Sequence, residues 1–496
     1  MIEFKIRRKK SSGREWVKSK ATSLTGISPA NLKSVASKIV DPLSIIFSHS
    51  LKSLKFPPQW LDLSLFFIHK KGPRSDPANF RSIAIINPFF KCFTSIIHKR
   101  LYEYAEMNNL LPPLQFGFRK YHTTSSAAML LKDIILSSIN KNNKKDPTKR
   151  IYACFYDYKS AFDSVDRILL FSKLQLLGIP FEICSLLSSM YSQTKMFIKY
   201  SSDCFSEPFL SSVGCPQGDS LSPLLFSLFI SDLPSHLKHS APTLNGSKVP
   251  YLLFADDLVC LSDSPQGLKD AIKYVADYSK VNKLVINLQK TKVMVFRKGG
   301  YIPPDASFDF PIVRSFIYLG FHFSPQCSFS GHVRTLCIKA KSRVGMLFRK
   351  IPVKSLPLST VLNLFRIYVF PIFHYGIFIW FDSSSPTSKT LIDPVFTGFL
   401  KRYLGIPYCS NNALVYYVTG TVPLSHSLQA YVLKSYFRSN FPKLLSGYRA
   451  PYFDKMSTPP APFNPIPSVP SHFWMNPLPV FNKDFTQRQR FYRRFF

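Results

Sequence analysis

The stretch Tyr251-Leu-Leu-Phe-Ala-Asp-Asp-Leu-Val-Cys-Leu261 decides how this chain is read. Two short apolar runs of β-favouring residues flank Asp256 and Asp257, which predicts a hairpin with both acids at its tip. Adjacent carboxylates repel each other, and apolar surroundings strengthen the repulsion. A cation between them relieves it. Hard oxygen ligands suit Mg²⁺, which takes one or two carboxylates together with substrate phosphates. By itself the pair reads first as an acidic turn, since Asp is a common turn residue.

A second acid shifts that reading. Ile151-Tyr-Ala-Cys-Phe-Tyr156 has the pattern of a buried strand and runs straight into Asp157. A helix is expected next, capped by Ser164, with Val165, Leu169, Leu170, Leu174 and Leu177 as its apolar face and Gly178 and Pro180 as its stop. If the strand and the hairpin are neighbours, Asp157 and Asp256 converge. Three acids so placed hold two metal ions for in-line phosphoryl chemistry, one activating the attacking oxygen and one steadying the leaving group.

Composition points the same way. A chain of 496 residues allows about three domains. Sixty-four Lys and Arg against 28 Asp and Glu give a net charge of +36, which favours a polyanionic partner, nucleic acid first. Nine cysteines are scattered without a Cys-x-x-Cys pair, so neither a zinc ribbon nor a redox pair is supported, and the odd count fits a reducing compartment. Residues 1–10 lack the apolar core of a signal peptide; Arg7 to Lys10 reads as a solvated basic tail or a nuclear-localisation patch. The most membrane-like run, residues 367–381, is too short to span and contains Pro371, His374 and Gly376, so a buried helix and no membrane segment are expected.

A third stretch, Gly214-Cys-Pro-Gln-Gly-Asp-Ser-Leu-Ser-Pro-Leu-Leu225, predicts a tight turn at Pro216-Gln217-Gly218 and a helix capped by Ser222 and opened by Pro223, running to about Leu233. Helices are further expected over 89–111, 125–140 and 265–283, a hairpin over 191–209, and mainly helix over 329–405. Phe254-Ala-Asp-Asp257, Asp157-Tyr-Lys-Ser-Ala-Phe-Asp-Ser-Val165 and the Gly214 stretch occur in the order found in reverse transcriptases of non-LTR (LINE-type) retrotransposons. The chain resembles that family, near its jockey/CR1-like branch, over residues 24 to 410.

The resemblance implies an α+β, right-hand polymerase fold: fingers, a palm with an antiparallel sheet, a helical thumb and a mostly helical C-terminal flank. The implied divisions are a basic tail over 1–23, fingers and palm over 24–323, thumb over 324–410, flank over 411–456, and a Pro-rich basic tail over 457–496. The implied activity is RNA-directed DNA polymerisation, with RNA template, DNA primer and dNTPs as partners. Asp157, Asp256, Asp257 and the carbonyl of Tyr158 are implied ligands of two Mg²⁺ ions, with Mn²⁺ as the substitute. Lys70, Lys71 and Arg81 are implied contacts of the triphosphate, which suits a cation's point charge and a guanidinium's fork. Phe162 would lie under the sugar and reject a 2′-hydroxyl, while Gln217 and the backbone of Gly218 would meet the incoming nucleotide. Read without the resemblance, each of these cations is a surface charge and Phe162 a core residue.

Lys292, with Lys290 second, is the implied proton donor to the leaving pyrophosphate. Gln115, Phe116 and Arg119 of Gln115-Phe-Gly-Phe-Arg119 would contact the template, and Tyr318-Leu319-Gly320 would grip the primer end. Arg334, Lys339, Lys341, Arg343, Arg349 and Lys350 form a basic run suited to tracking a duplex. Asp163 and Asp166 read as helix-start acids. Two positions depart from the family pattern: Ser82 stands where Pro is usual, and Asp219 where a small residue is usual, which is expected to alter nucleotide affinity.

Glu207 is the last Glu, so no RNase H site of the usual kind is expected, and about 60 residues precede the fingers, too few for the family's endonuclease. Nicking would then come from another chain, and the family's habit places the work in the nucleus. Two alternatives remain open: a binding-only remnant of such an element, and another reverse transcriptase class of the intron-maturase or retron type.

Overall fold

The computed structural model describes residues 24–438 apart from 25, 71, 140–148, 201–203 and 382–385. Lys71, the 1–23 and 457–496 tails and the later part of the 411–456 flank therefore lie outside the described residues.

Two sheets carry the mixed α+β architecture. β1 (Asp62–His69) and β2 (Phe80–Ile85) pair antiparallel, with Ile68 opposite Arg81. β3 (Arg150–Tyr156) belongs to the other sheet. β4 (Lys195–Ile198) runs parallel to β1 and pairs with the short β5 (Phe209–Leu210), giving the order β2-β1-β4-β5. β6 (Thr243–Leu244) and β7 (Ser247–Lys248) form a small hairpin. β8 (Tyr251–Phe254), β9 (Asp257–Ser262) and β10 (Lys292–Arg297) join β3 in an antiparallel sheet of order β10-β3-β9-β8. β11 (Phe316–Tyr318) and β12 (Phe321–Phe323) are a separate hairpin.

The apolar run in β3 is continuous because both faces of that strand are covered. Alternation puts Tyr152 and Tyr156 on one face, against Phe308 and Phe310, and Phe155 on the other, stacked on Phe316 at 4.2 Å. Helices Thr124–Ile139 and Pro265–Val281 pack on the same sheet. Both fall where their periodicity predicts, as does Pro88–Met107.

Three local expectations shift. The helix after Asp157 starts at Arg167, and its cap is Asp166, whose carboxylate accepts from the Leu169 amide at 3.0 Å. Ser160 takes a left-handed φ of 48° and holds the chain in turns, so the Ser164 hydroxyl donates to the Ala161 carbonyl instead. Ser222 is the first residue of its helix rather than the cap; its hydroxyl donates to the Pro216 carbonyl, and the helix ends at Phe229. Tyr191 belongs to the helix Phe181–Gln193, so the hairpin starts later, at Lys195, where Lys195 and Met196 pair with Leu210 and Phe209 and Lys199 pairs with Phe205.

Beyond residue 324 the described chain is helical, in Ser330–Lys350, Leu358–Tyr368, Pro386–Leu404, Asn412–Thr419 and Leu424–Arg438. The apolar run over 367–381 is not one helix. Pro371 and Gly376 (φ 56°) break it into the end of Leu358–Tyr368 and the short pieces Pro371–His374 and Ile377–Trp380. No described helix is long and apolar enough to cross a membrane.

Candidate active site

The register of the second sheet brings the acids together. β8 and β9 close with Phe254 opposite Asp257, leaving Ala255 and Asp256 as the turn. β3 lies beside β9 with Tyr156 opposite Leu258, so Asp157 emerges next to the hairpin tip. Burial raises the proton affinity of Asp256, the neighbouring Asp157 raises it further, and Arg81 and Lys290 partly offset both. Asp257 is open to solvent on one side but enclosed by protein on the others. That enclosure, with Asp256 and Asp157 nearby, pushes its pKa up to about 7.

Segment 285–291 clasps Asp157 from the other side. Its backbone donates from Asn287 to the Asp157 carbonyl at 2.7 Å, and the Asn287 side chain donates to the carboxylate at 3.0 Å. Lys290 Nζ lies 3.3 Å from the same oxygen. Lys292 opens β10 opposite Phe155, so of the two lysines Lys290 is the one at the carboxylates. Asn287 was missed by the sequence reading; its spacing of three before Lys290 was the available signal. The Tyr158 side chain turns into the core, where its hydroxyl meets Ser279 at 3.4 Å.

Across the cleft, Lys70 and Arg81 act electrostatically on Asp163, and Arg81 also on Asp256. Asp163 is therefore not a helix-start acid. It faces the cleft, where Gln217 Nε2 donates to it at 3.4 Å, and burial raises its pKa despite the two cations. The Gly214 stretch is laced by its backbone. Gly214 and Cys215 donate to the carbonyls of Val165 and Phe162 at 2.7 and 2.8 Å, and the Gln217 carbonyl accepts from Ala84 at 2.7 Å. Gly218 has φ 133°, and a Cβ there would fall on the Ala84 carbonyl, so close backbone approach to β2 already demands glycine. The half-buried Phe162 ring lies 4.7 Å from Phe226 and meets Phe118 edge-on at 6.4 Å. Asp219, beside Gly218, is buried and accepts from the Thr94 hydroxyl at 2.6 Å.

The side chains expected on the template turn inward. Gln115 and Phe116 are buried. Both arms of the Arg119 fork are taken by Glu106 at 3.0 and 2.7 Å, with the Pro112 carbonyl at 2.9 Å. Phe118, 55% exposed, is the residue of that stretch that faces out. Tyr318 is likewise buried against Phe155 and Phe323, while the Leu319 carbonyl accepts from the Tyr375 hydroxyl at 2.6 Å. Gly320 (φ 87°) makes its close approach to the Tyr375 ring. The six cations of the basic run are exposed along Ser330–Lys350, opposite buried Val333, Leu336, Ala340, Val344 and Leu347.

Among the described residues no three His, Cys, Asp or Glu side chains form a ready-made metal cage. Asp157 and Asp256 instead offer an open pair of hard oxygens whose mutual repulsion a divalent cation would relieve, which is the donor set Mg²⁺ shares with phosphate oxygens. The residues fit such an ion. In its absence the acids should make stability depend on pH. Asp257 holds its proton to about pH 7 when folded, whereas the ordinary value is 3.8. Between these the native state binds more protons, so its stability falls as pH rises through that window. Metal-free protein should melt at lower temperature at pH ~7.5 than at pH ~5, and Asp257→Asn should flatten the slope. An unchanged slope in the variant would assign the effect to other groups.

The family model described as reverse transcriptase (RNA-dependent DNA polymerase) matches residues 68–323, the span holding Arg81, Asp157, Gln217, Asp256 and Lys290. The chain belongs to the reverse transcriptase family. Within the family its similarity runs to the non-LTR retrotransposon members. It is 28% identical over 375 residues to the Drosophila melanogaster protein named "Probable RNA-directed DNA polymerase from transposon BS", covering 73% of this chain and 40% of that one. To the Popillia japonica "Retrovirus-related Pol polyprotein from type-1 retrotransposable element R2" it is 27% identical over 451 residues, 87% of this chain and 61% of the relative. This reverse transcriptase chain thus spans less than two thirds of either. Among solved structures, telomerase from Candida albicans in complex with a TWJ fragment of telomeric RNA aligns at a TM-score of 0.45 and 11% identity, over 73% of this chain and 66% of that chain.

Proposed function

We propose that the chain acts as the RNA-directed DNA polymerase of a non-LTR retrotransposon. The observation that carries this reading is the meeting of Asp157 and Asp256 at one sheet end, with Lys290 beside them and Lys70, Arg81 and Gln217 across the cleft. In this reading the β2-β1-β4-β5 sheet is the fingers, the β10-β3-β9-β8 sheet the palm, and the helices from Ser330 onward the thumb and flank. Asp157, Asp256 and the Tyr158 carbonyl would hold two Mg²⁺ ions, with Asp257 adjacent. When bound, such ions lower the pKa of the attacking hydroxyl and neutralise charge on the phosphates.

The chain's own groups supply the rest. Arg81 and Lys70 draw in the triphosphate, and Lys290, better placed than Lys292, faces the departing pyrophosphate. The primer 3′-hydroxyl attacks the α-phosphorus in line and the bond to the β-phosphate oxygen breaks. The exposed cations of Ser330–Lys350 follow the template–primer backbone.

Phe162, braced by Phe226, closes the space beside the sugar's 2′ position. RNA-templated primer extension with Mg²⁺ and dNTPs tests the reading: dNTPs should be incorporated and ribonucleotides rejected. Phe162→Val should raise ribonucleotide use by about 10²-fold while changing dNTP use only a few-fold. Equal use of both by the wild type would remove Phe162 from this role. RNA binding that falls steeply with salt, without incorporation, would instead support a binding-only protein.

A further inference from the structure

Gln115 is fully buried, and its side-chain oxygen accepts two backbone amides, Gly117 at 2.8 Å and Ala255 at 2.9 Å. The backbone around it adds a short parallel rung to β8. The Phe116 amide donates to the Leu253 carbonyl at 2.7 Å, and the Leu253 amide to the Leu114 carbonyl at 3.0 Å. Gly117 sits so close that a Cβ would fall on the Ala255 amide nitrogen. Two separate contacts thus converge on Ala255, and the rung holds Leu253 two residues before it.

Ala255 needs such a hold. It adopts a left-handed φ of 57°, and the Ala-Asp turn lacks the Gly or Asn that favours this conformation in tight hairpins. The residue that follows is Asp256, so the twist at Ala255 sets where that carboxylate points. The sheet braces the turn from one side only, since β8 ends the order β10-β3-β9-β8.

We infer that Gln115 is a positioning residue for the catalytic turn, fixing Asp256 through the Ala255 amide, with Gly117 small so that the two segments can touch. The inference rests on the polymerase reading for its catalytic consequence but not for its structural one. An amide side chain suits the task because its oxygen serves two donors without adding charge beside Asp157, Asp256 and Asp257. Its Nε2 is buried with no partner among the described residues, so the oxygen carries the hydrogen bonding.

The test uses the full chain and two variants. Gln115→Met keeps length and volume but removes the acceptor; Gly117→Ala pushes on the same amide independently. Hydrogen–deuterium exchange is followed over residues 252–258 and over helix Thr124–Ile139 as control, beside RNA-templated extension. Both variants should speed exchange over 252–258 about tenfold or more with the control unchanged. They should lower kcat by about ten- to a hundredfold while the dNTP KM stays within about threefold. Unchanged exchange over 252–258, or acceleration equal to that of the control helix, overturns the inference. So does faster exchange with wild-type kcat, because the hold would then be structural only. If the wild type extends no primer, the polymerase reading fails, and the exchange experiment alone decides whether Gln115 holds the turn.

Discussion

Asp256→Asn lowers RNA-templated primer extension by about 10³-fold or more, a loss of roughly 4 kcal/mol of transition-state stabilisation. The substitution keeps the shape of the side chain and removes its charge at the hairpin tip. Burial and Asp157 already make that charge costly in the metal-free protein, so Asn should leave the melting temperature unchanged or raise it. Template binding, which depends on cations elsewhere, should remain near wild type. The expected variant is therefore folded, binds RNA and is inactive. Wild-type extension by Asp256→Asn would place the chemistry elsewhere in the chain.

The second large effect concerns stability. Arg167 is buried, with its guanidinium 5.0 Å over the Tyr191 ring. It donates to the carbonyls of Gly214 at 2.9 Å, Tyr191 at 3.1 Å and Ser211. Burial pulls its pKa down, and these hydrogen-bond partners are carbonyls rather than a carboxylate. Removing a buried ion pair whole is often harmless, but here the acceptors would stay behind. Arg167→Met should strand all three carbonyls and cost about 3 kcal/mol, read as an earlier denaturant midpoint. Arg167→Lys should rescue little, because one ammonium cannot reproduce a planar fork reaching three carbonyls. A midpoint equal to wild type in Arg167→Met would show that these bonds contribute no net stability.

Much of the site was legible because its signals are local. The apolar runs beside Asp157 and Asp256 are strands for the reason that made them readable: buried neighbours on both faces select continuous hydrophobic sequence. The six cations of the basic run in Ser330–Lys350 are all exposed. What failed was pairing across distance. Aromatics interleaved with cations in Gln115-Phe-Gly-Phe-Arg119 look like a nucleic-acid surface, and nothing nearby announces that Glu106 takes Arg119 or that Ala255 takes Gln115. Asp163 looked like a helix-start acid, but the turns after Ser160 move the helix on and leave it facing Lys70 and Arg81. Lys290 and Lys292 differ only in that one precedes β10 and the other begins it, a boundary too fine for pattern reading.

The seam between the Gly214 stretch and β2 is closed by the Ala84 amide and the Gln217 carbonyl. A bond between main-chain atoms is indifferent to which side chains surround it. A lineage could therefore exchange most residues along this seam, generation after generation, and still inherit the same junction with β2. The exception is position 218, where the first added carbon meets the Ala84 carbonyl. Mutational freedom here should be wide on either side of a single position that tolerates almost nothing.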